Sequence, residues 1–317
     1  MLSRVADSIY WMSRYLERAE NVARFVDVNM RLMLDMGQSH PQWKPLVLAS
    51  GDEADFEARY GRADENSVIQ FLTFDRENPN SIFSCVASAR ENARTVREII
   101  PSEMWETINE LYHRVQKQQR SKHNSSVNLQ SFYHEVAEAT NLFYGYATNA
   151  MSHGQGWHFA RLGRMLERAD KTARLLDVKY FLLLPDAKSV DSPFDAVQWG
   201  AVLKSATAFE MYRQQYHRVN YRDVTHFLIL DELFPRSTLY CVNACAKSLA
   251  YITHTLDVDA IATTEVEKLQ HFLQEKDVDA ILSMGLHEFI DEFQAQLNKT
   301  HNAIYHSFFA TEQAECA

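Results

Sequence analysis

A repetition inside the chain limits what it can fold into. The segment YLERAENVARFVDV (Tyr15 to Val28) returns as MLERADKTARLLDV (Met165 to Val178), and extending both windows to Arg14 and Arg164 gives agreement at nine of fifteen positions. Unrelated stretches of ordinary composition share about one position over that length. A second block follows in the same order. FLTFDRENPNSIFSCV (Phe71 to Val86) matches FLILDELFPRSTLYCV (Phe227 to Val242) at seven of sixteen positions, now at an offset of 156, and Gln42-Trp43 matches Gln198-Trp199 at the same offset. The offset grows from 150 to 156 across LLLPDAKSVDSPF, a stretch whose turn residues can absorb the extra length. Two halves are therefore expected, residues 1–150 and 151–317, packed as one unit. Each should run through a long charged helix, a punctuated connection, a helix near the tryptophan, and an Asp-x-x-x-Pro-x-Ser turn opening another helix.

The class of those elements follows from composition and periodicity. Only nine Gly and seven Pro occur in 317 residues, and few segments alternate apolar with polar as a half-buried strand would. The expectation is an all-α helical bundle built from an internal duplication, with no sheet beyond an incidental hairpin. A hydrophobic content of 46% is ample for a core. The net charge of −10 lacks the basic footprint of a nucleic-acid binder. No apolar run reaches the length that spans a bilayer, and MLSRVADSIYWMSRYLER reads as an amphipathic helix rather than a signal peptide, so no membrane span and a cytoplasmic location are expected. Cys85, Cys241, Cys245 and Cys316 form no CxxC pair and read as reduced, buried thiols.

Two serines and two charged rows draw attention. Ser81 and Ser237 follow Pro79 and Pro235 by two residues, which suits a helix cap, and no Gly-x-Ser-x-Gly elbow supports a serine hydrolase. On the first helix Met12, Leu16, Ala19, Ala23, Val26 and Met30 share one face, the core side. Glu17, Glu20, Arg24, Asp27 and Arg31 form an adjacent stripe, largely repeated by Glu167, Asp170, Arg174 and Asp177. One reading is a solvated ion-pair ladder, each pair contributing about 0.2–0.5 kcal/mol. The other is a semi-buried seam where the halves meet, with Glu17, Arg24, Glu167 and Arg174 buried and paired between halves, lining a polar cleft. Arg90, Arg94 and Arg97 form a cationic row near Trp105 and Asn109 that the second half lacks, having Ala246, Ala250 and His254 instead. Such a row can hold a carboxylate or phosphate, and a ligand site joining it to the shared stripe is expected.

The segments SIYWMSRYLERAENVAR, ARENARTVRE and GWHFARLGRMLERADKTARLLD together resemble the bacterial alpha-E domain family, nearly end to end. The resemblance implies an all-helical protein with acidic and basic motifs, usually encoded beside ATP-grasp ligase-like proteins and transglutaminase-like cysteine peptidases. It points to a pathway that makes, modifies or trims peptide or amide bonds. The motif residues fall on Arg14, Glu17, Arg18, Glu20, Arg24, Arg90, Arg94, Arg97, Arg164, Glu167, Arg168, Asp170 and Arg174. Glu17 and Glu167 are the candidates for chemistry, and the others for binding an amino acid, a peptide terminus or another anion.

Three functions stay open. The chain is a partner or auxiliary enzyme of an ATP-dependent amide ligase, with ATP bound by the partner because no phosphate-cradling Gly-rich loop occurs here. Alternatively it is a non-catalytic scaffold. The third reading is a carboxylate-bridged metal protein, for which only Glu110 with His113, and Asp223 with His226, have suitable spacing. No metal or cofactor is expected.

Overall fold

The computed structural model describes residues 1–36, 43–121, 126–183, 193–258 and 260–310. Among them every regular element is helical. The first half contains α1 (Ser3–Met36), α2 (Lys44–Ser50), α3 (Glu53–Arg59), α4 (Glu65–Ile69) with a π turn over Gln70–Phe74, α5 (Ile82–Thr95), α6 (Ser102–Arg120) and α7 (Ser126–Asn149). The second contains α8 (Gln155–Leu183), α9 (Pro193–Ser205), α10 (Phe209–Gln215), α11 (Tyr221–Leu230), α12 (Thr238–Leu256), α13 (Ile261–Gln274), α14 (Val278–Met284) and α15 (Leu286–Phe308).

Several bounds coincide at the sequence offset. Adding 156 to the ends of α3 gives α10, the start of α5 becomes the start of α12, and α4 with its π turn spans the same ten positions as α11. The local chemistry repeats as well. Ser81 Oγ accepts from Ser84 N and donates to the Asp75 carbonyl, and Ser237 Oγ accepts from Tyr240 N and donates to the Asp231 carbonyl. Both serines are caps, as their spacing after proline implied. Cys85 and Cys241 are buried and each points its thiol at the carbonyl of Pro79 or Pro235, and Cys245 is buried too. Cys316 and most of the 182–194 connection lie outside the described residues.

The two long helices form the spine. Met12, Leu16, Ala19, Ala23, Val26 and Met30 of α1 are all buried, as are Leu162, Leu166, Ala169, Ala173 and Leu176 of α8. Helices α5 and α7 pack on α1, and α12 and α15 pack on α8. The short second helices cross over, α2 lying against α8 and α9 against α1. Each half therefore covers part of the other's spine, and the apolar side chains join in a single buried cluster.

Close approach of the spine depends on small residues. A Cβ placed on Gly163 would lie 2.3 Å from the Tyr10 carbonyl oxygen, a backbone atom that cannot turn aside. The residue matching Gly163 in the first half is Ser13, also fully buried. Gly163→Ala is expected to force α1 and α8 apart and to cost about 1–3 kcal/mol, read as a lowered denaturation midpoint; an unchanged midpoint would show that the spine is not packed this closely.

Candidate functional site

The charged stripes meet where α1 and α8 cross, and the Glu-Arg pairs of the two helices are exchanged. Arg168 Nε and Nη2 donate to Glu17 Oε1 and Oε2 at 2.6 and 2.9 Å. Arg18 Nε and Nη2 donate to Glu167 Oε1 and Oε2 at 2.7 and 3.0 Å. The same fork-to-fork geometry thus occurs twice with donor and acceptor helices swapped. Glu17 and Glu167 are both 0% exposed. The seam reading holds for the two glutamates, whereas the outer charges form pairs along their own helices, Asp27 with Arg31 among them. Arg24 and Arg174 differ from expectation, pairing with Glu20 and Asp170 of their own helices. The bidentate grip belongs to the arginine next to each glutamate, because that side chain sits on the seam while the one seven residues on from the glutamate has climbed toward the rim.

Around this shared centre the two sides differ. On the Glu17 side, Arg236 reaches in and donates to Glu17 at 3.3 Å and to Glu20 at 2.7 Å. Ala206 and Ala208, in the connection after α9, are both buried. On the Glu167 side the position matching Arg236 is Asn80, and those matching Ala206 and Ala208 are Ser50 and Asp52. Asparagine is too short to fill the space. It accepts from Arg18 at 2.5 Å and donates to both oxygens of Asp52 at 2.9 and 3.1 Å. A polar cleft of about 280 Å³ remains, lined by Arg14, Arg18, Lys171, Arg174, Asp52 and Asp170 together with Ser50, Gly51, Asn80, Leu166, Leu297, Asn298 and His301. Four cations face two carboxylates there. Arg174 fits because the residue opposite is glycine: a Cβ on Gly51 would lie 2.9 Å from Arg174 Nη1, and its φ of 82° suits glycine besides.

The electrostatics keep the centre ionised. Burial alone would raise the pKa of Glu17, but Arg168 and Arg236 outweigh it and hold it at about 2. Burial opposes ionisation of Glu167 too, and Arg18 and Arg14 together hold it well below the usual carboxylate range. Arg14 donates to Glu167 Oε2 at 2.9 Å and also reaches His301 Nδ1 at 3.0 Å. His301 is neutral at pH 7, its pKa lowered to about 4 by burial and then by Arg14. The matching arginine of the second half, Arg164, lies over the Tyr144 ring, 4.5 Å from its centroid, and among the described residues its buried Nε has no hydrogen-bond partner.

Of the residues expected to form the site, Arg14, Arg18, Asp170 and Arg174 line the cleft. Glu167 lies buried behind it, and Glu17, Glu20, Arg24, Arg164 and Arg168 belong to the closed side. Neither glutamate presents an oxygen that is not already held by an arginine. The row of Arg90, Arg94 and Arg97 does not join the stripe. Arg90 binds Asn109 at 2.8 Å and lies over Tyr112, whereas Arg94 and Arg97 are exposed and paired with Glu91 and Glu98. Arg90 and Arg94 lie on α5, whose buried edge packs on α1, and Arg97 lies in the turn that follows, so the row stands apart from the stripe. For the metal reading, Glu110 and His113 are exposed on α6, and His226 is bonded to Tyr216. Sequence reasoning missed Lys171, Asp52, Asn80, His301 and Arg236. The signal for Asn80 and Arg236 was present: they occupy the variable place inside the shared Pro-x-Ser turn.

Loss of one buried partner leaves the other charge uncompensated. Glu17→Gln keeps the shape and removes the carboxylate that Arg168 grips with two bonds, leaving Arg236 with Glu20, so a loss of about 3–5 kcal/mol is expected, measured by denaturant unfolding. The pH dependence has a definite sign. A group whose folded pKa lies below its unfolded value contributes stability that is complete above the unfolded pKa and is lost as pH falls toward the folded one. His301 should therefore lose its contribution between about pH 6.5 and 4, and Glu17 between about 4.5 and 2. His301→Gln is expected to flatten the upper part of the stability-pH curve and Glu17→Gln the lower part; a curve unaltered in both variants would contradict the assignment.

Comparison with known proteins adds the family. Uncharacterized proteins of Mycobacterium bovis and of two Mycobacterium tuberculosis strains are 24% identical over 257 residues, covering 75% of this chain. The chain spans about 28% of the length of these relatives. No solved structure matches it. Residues 1–309 match the Alpha-E family, described as a predicted alpha-helical domain with a conserved ER motif. The Glu-Arg dipeptide occurs twice here, at Glu17-Arg18 and Glu167-Arg168, the four residues of the exchanged pairs. The chain belongs to the Alpha-E family.

Proposed function

We propose that the protein binds the carboxylate of an amino acid or peptide terminus in the cleft beside Glu167, as a cytoplasmic component of a pathway that forms or modifies peptide or amide bonds. The observation that supports this most is the one-sided opening: the same charged centre is plugged by Arg236 on one side and left open and cation-rich on the other. Arg14 and Arg18 are committed to Glu167, which leaves Lys171 and Arg174, balanced by Asp170, at the edge where an anion can approach. An incoming carboxylate would meet a net positive wall in partly desolvated surroundings, where a charge-assisted bond is strongest. A duplication of one helical unit is the origin we infer for the two halves, supported by their coincident element bounds.

The ATP-grasp ligase-like protein, and a transglutaminase-like peptidase, are the partners this reading assigns, following from the family resemblance. The ligase would supply ATP and activation of the substrate, while this chain holds or presents a carboxylate. A scaffold without a small ligand is the second reading, favoured by the complete burial of Glu17 and Glu167. Among the described residues, no helix is long and apolar enough to cross a membrane.

Titration calorimetry with glycine and with acetate separates the two readings. Binding by the unaltered chain that weakens about tenfold or more in Arg174→Gln, in keeping with a lost charged hydrogen bond of about 1.5–3 kcal/mol, supports the carboxylate site. Absence of binding, together with copurification of the chain with its ATP-grasp neighbour, favours the scaffold.

A further inference from the structure

The cleft does not end at its polar wall. Arg18, Ser50, Asn80, Lys171 and Arg174 also border an adjoining slot whose remaining surface is mostly apolar, with Val22, Phe25, Leu46, Leu72 and Leu175 prominent. The slot has a volume of about 40 Å³. A single water needs about 10–15 Å³ by this measure, so three or four carbon-sized groups fit. A second apolar cavity, again about 40 Å³, lies behind it and shares Phe25, Leu46, Leu175 and Ser205 as a common wall.

We propose that cleft and slot together take a carboxylate that sits next to an aliphatic side chain of valine or leucine size, in a free amino acid or in the C-terminal residue of a peptide. This rests on the carboxylate reading of the cleft and adds the identity of the side chain. Of the three cations that border both spaces, Arg18 is committed to Glu167, and Lys171 and Arg174 place the anionic group at the junction. From there a short branched side chain reaches the slot without crossing polar surface. An acidic side chain would bring a second charge against Val22, Phe25 and Leu175, where nothing apolar could solvate it. A long alkyl chain exceeds the slot unless the wall behind it is removed. On the polar flank Asp52 is partly exposed within the cleft and offers a carboxylate to a free α-ammonium. A peptide would carry an amide there.

The test uses the full chain and four probes: glycine, L-leucine, L-phenylalanine and N-acetyl-L-leucine, each titrated calorimetrically. Each methylene moved from water into an apolar site strengthens binding about fourfold, so leucine is expected to bind at least about tenfold more tightly than glycine. N-acetyl-leucine matching leucine identifies a peptide terminus, and its loss identifies a free amino acid; either agrees with the shared chemistry. Val22→Phe fills the slot and should abolish the leucine advantage while glycine binding persists. Leu175→Ala joins the slot to the cavity behind and should move the preference toward phenylalanine, with thermal melting showing that both variants are folded. Equal binding of glycine and leucine by the unaltered chain overturns this inference and leaves the carboxylate site standing. No binding of any probe overturns both.

Discussion

The exchange of Glu17 and Glu167 between Arg168 and Arg18 is the interaction around which the molecule is arranged. Four charges buried at the crossing of two helices cannot be left unmatched, because an isolated ion there loses its hydration without return. Each arginine has its nearest usable carboxylate on the other helix. The pairs can be satisfied only when α1 and α8 cross at one height and one rotation, and a slip by a turn would separate all four partners. Such pairs add little net stability compared with an apolar seam, but they discriminate strongly against wrong registers. The apolar stripes beside them supply the burial, and the small residues at Gly163 and Ser13 let the backbones come near enough for the side chains to meet.

From that centre outward the two sides have different fates, and a single side chain separates them. Arg236 extends from the turn before α12 and neutralises Glu17 and Glu20, filling the space beside them. Asn80, in the matching turn, ends short and is held by Arg18 and Asp52. The charge that Arg236 provides on one side comes on the other from Lys171, which approaches Asp170 to 3.1 Å along its own helix. A cation delivered along the helix leaves the entrance clear, whereas one delivered from the turn blocks it. The Glu167 side thereby keeps a cleft, with positive charge at its mouth and an apolar recess beside it.

The Glu-Arg dipeptides have a structural role on this geometry. Both glutamates are held ionised and fully enclosed, which suits a fixed countercharge better than a proton carrier. Arg14 extends the network to His301 on α15, so the last helix senses the same centre. In the proposed reading the ligand meets the rim, at Lys171, Arg174 and Asp52, which line the cleft beside the buried pairs.

The sequence by itself determined the helical class, the apolar face of α1, and the caps at Ser81 and Ser237. These depend on periodicity and on contacts a few residues apart, which the chain states locally. It also marked the charged seam, since matching charges recur in both halves at fixed spacing. Only the tertiary structure decided which charges pair. Arg18 crosses to the other helix while Arg24 stays on its own, because their spacing of six residues places the two side chains about 120° apart around α1 and nearly two turns apart along it. The row of Arg90, Arg94 and Arg97 drew attention as the feature unique to one half, but Arg90 packs against α6 and the other two are exposed, away from the stripe. The two sides differ at Asn80 against Arg236, and at Ser50 and Asp52 against Ala206 and Ala208, and the consequence depends on the volume between four helices and a turn brought together only by folding.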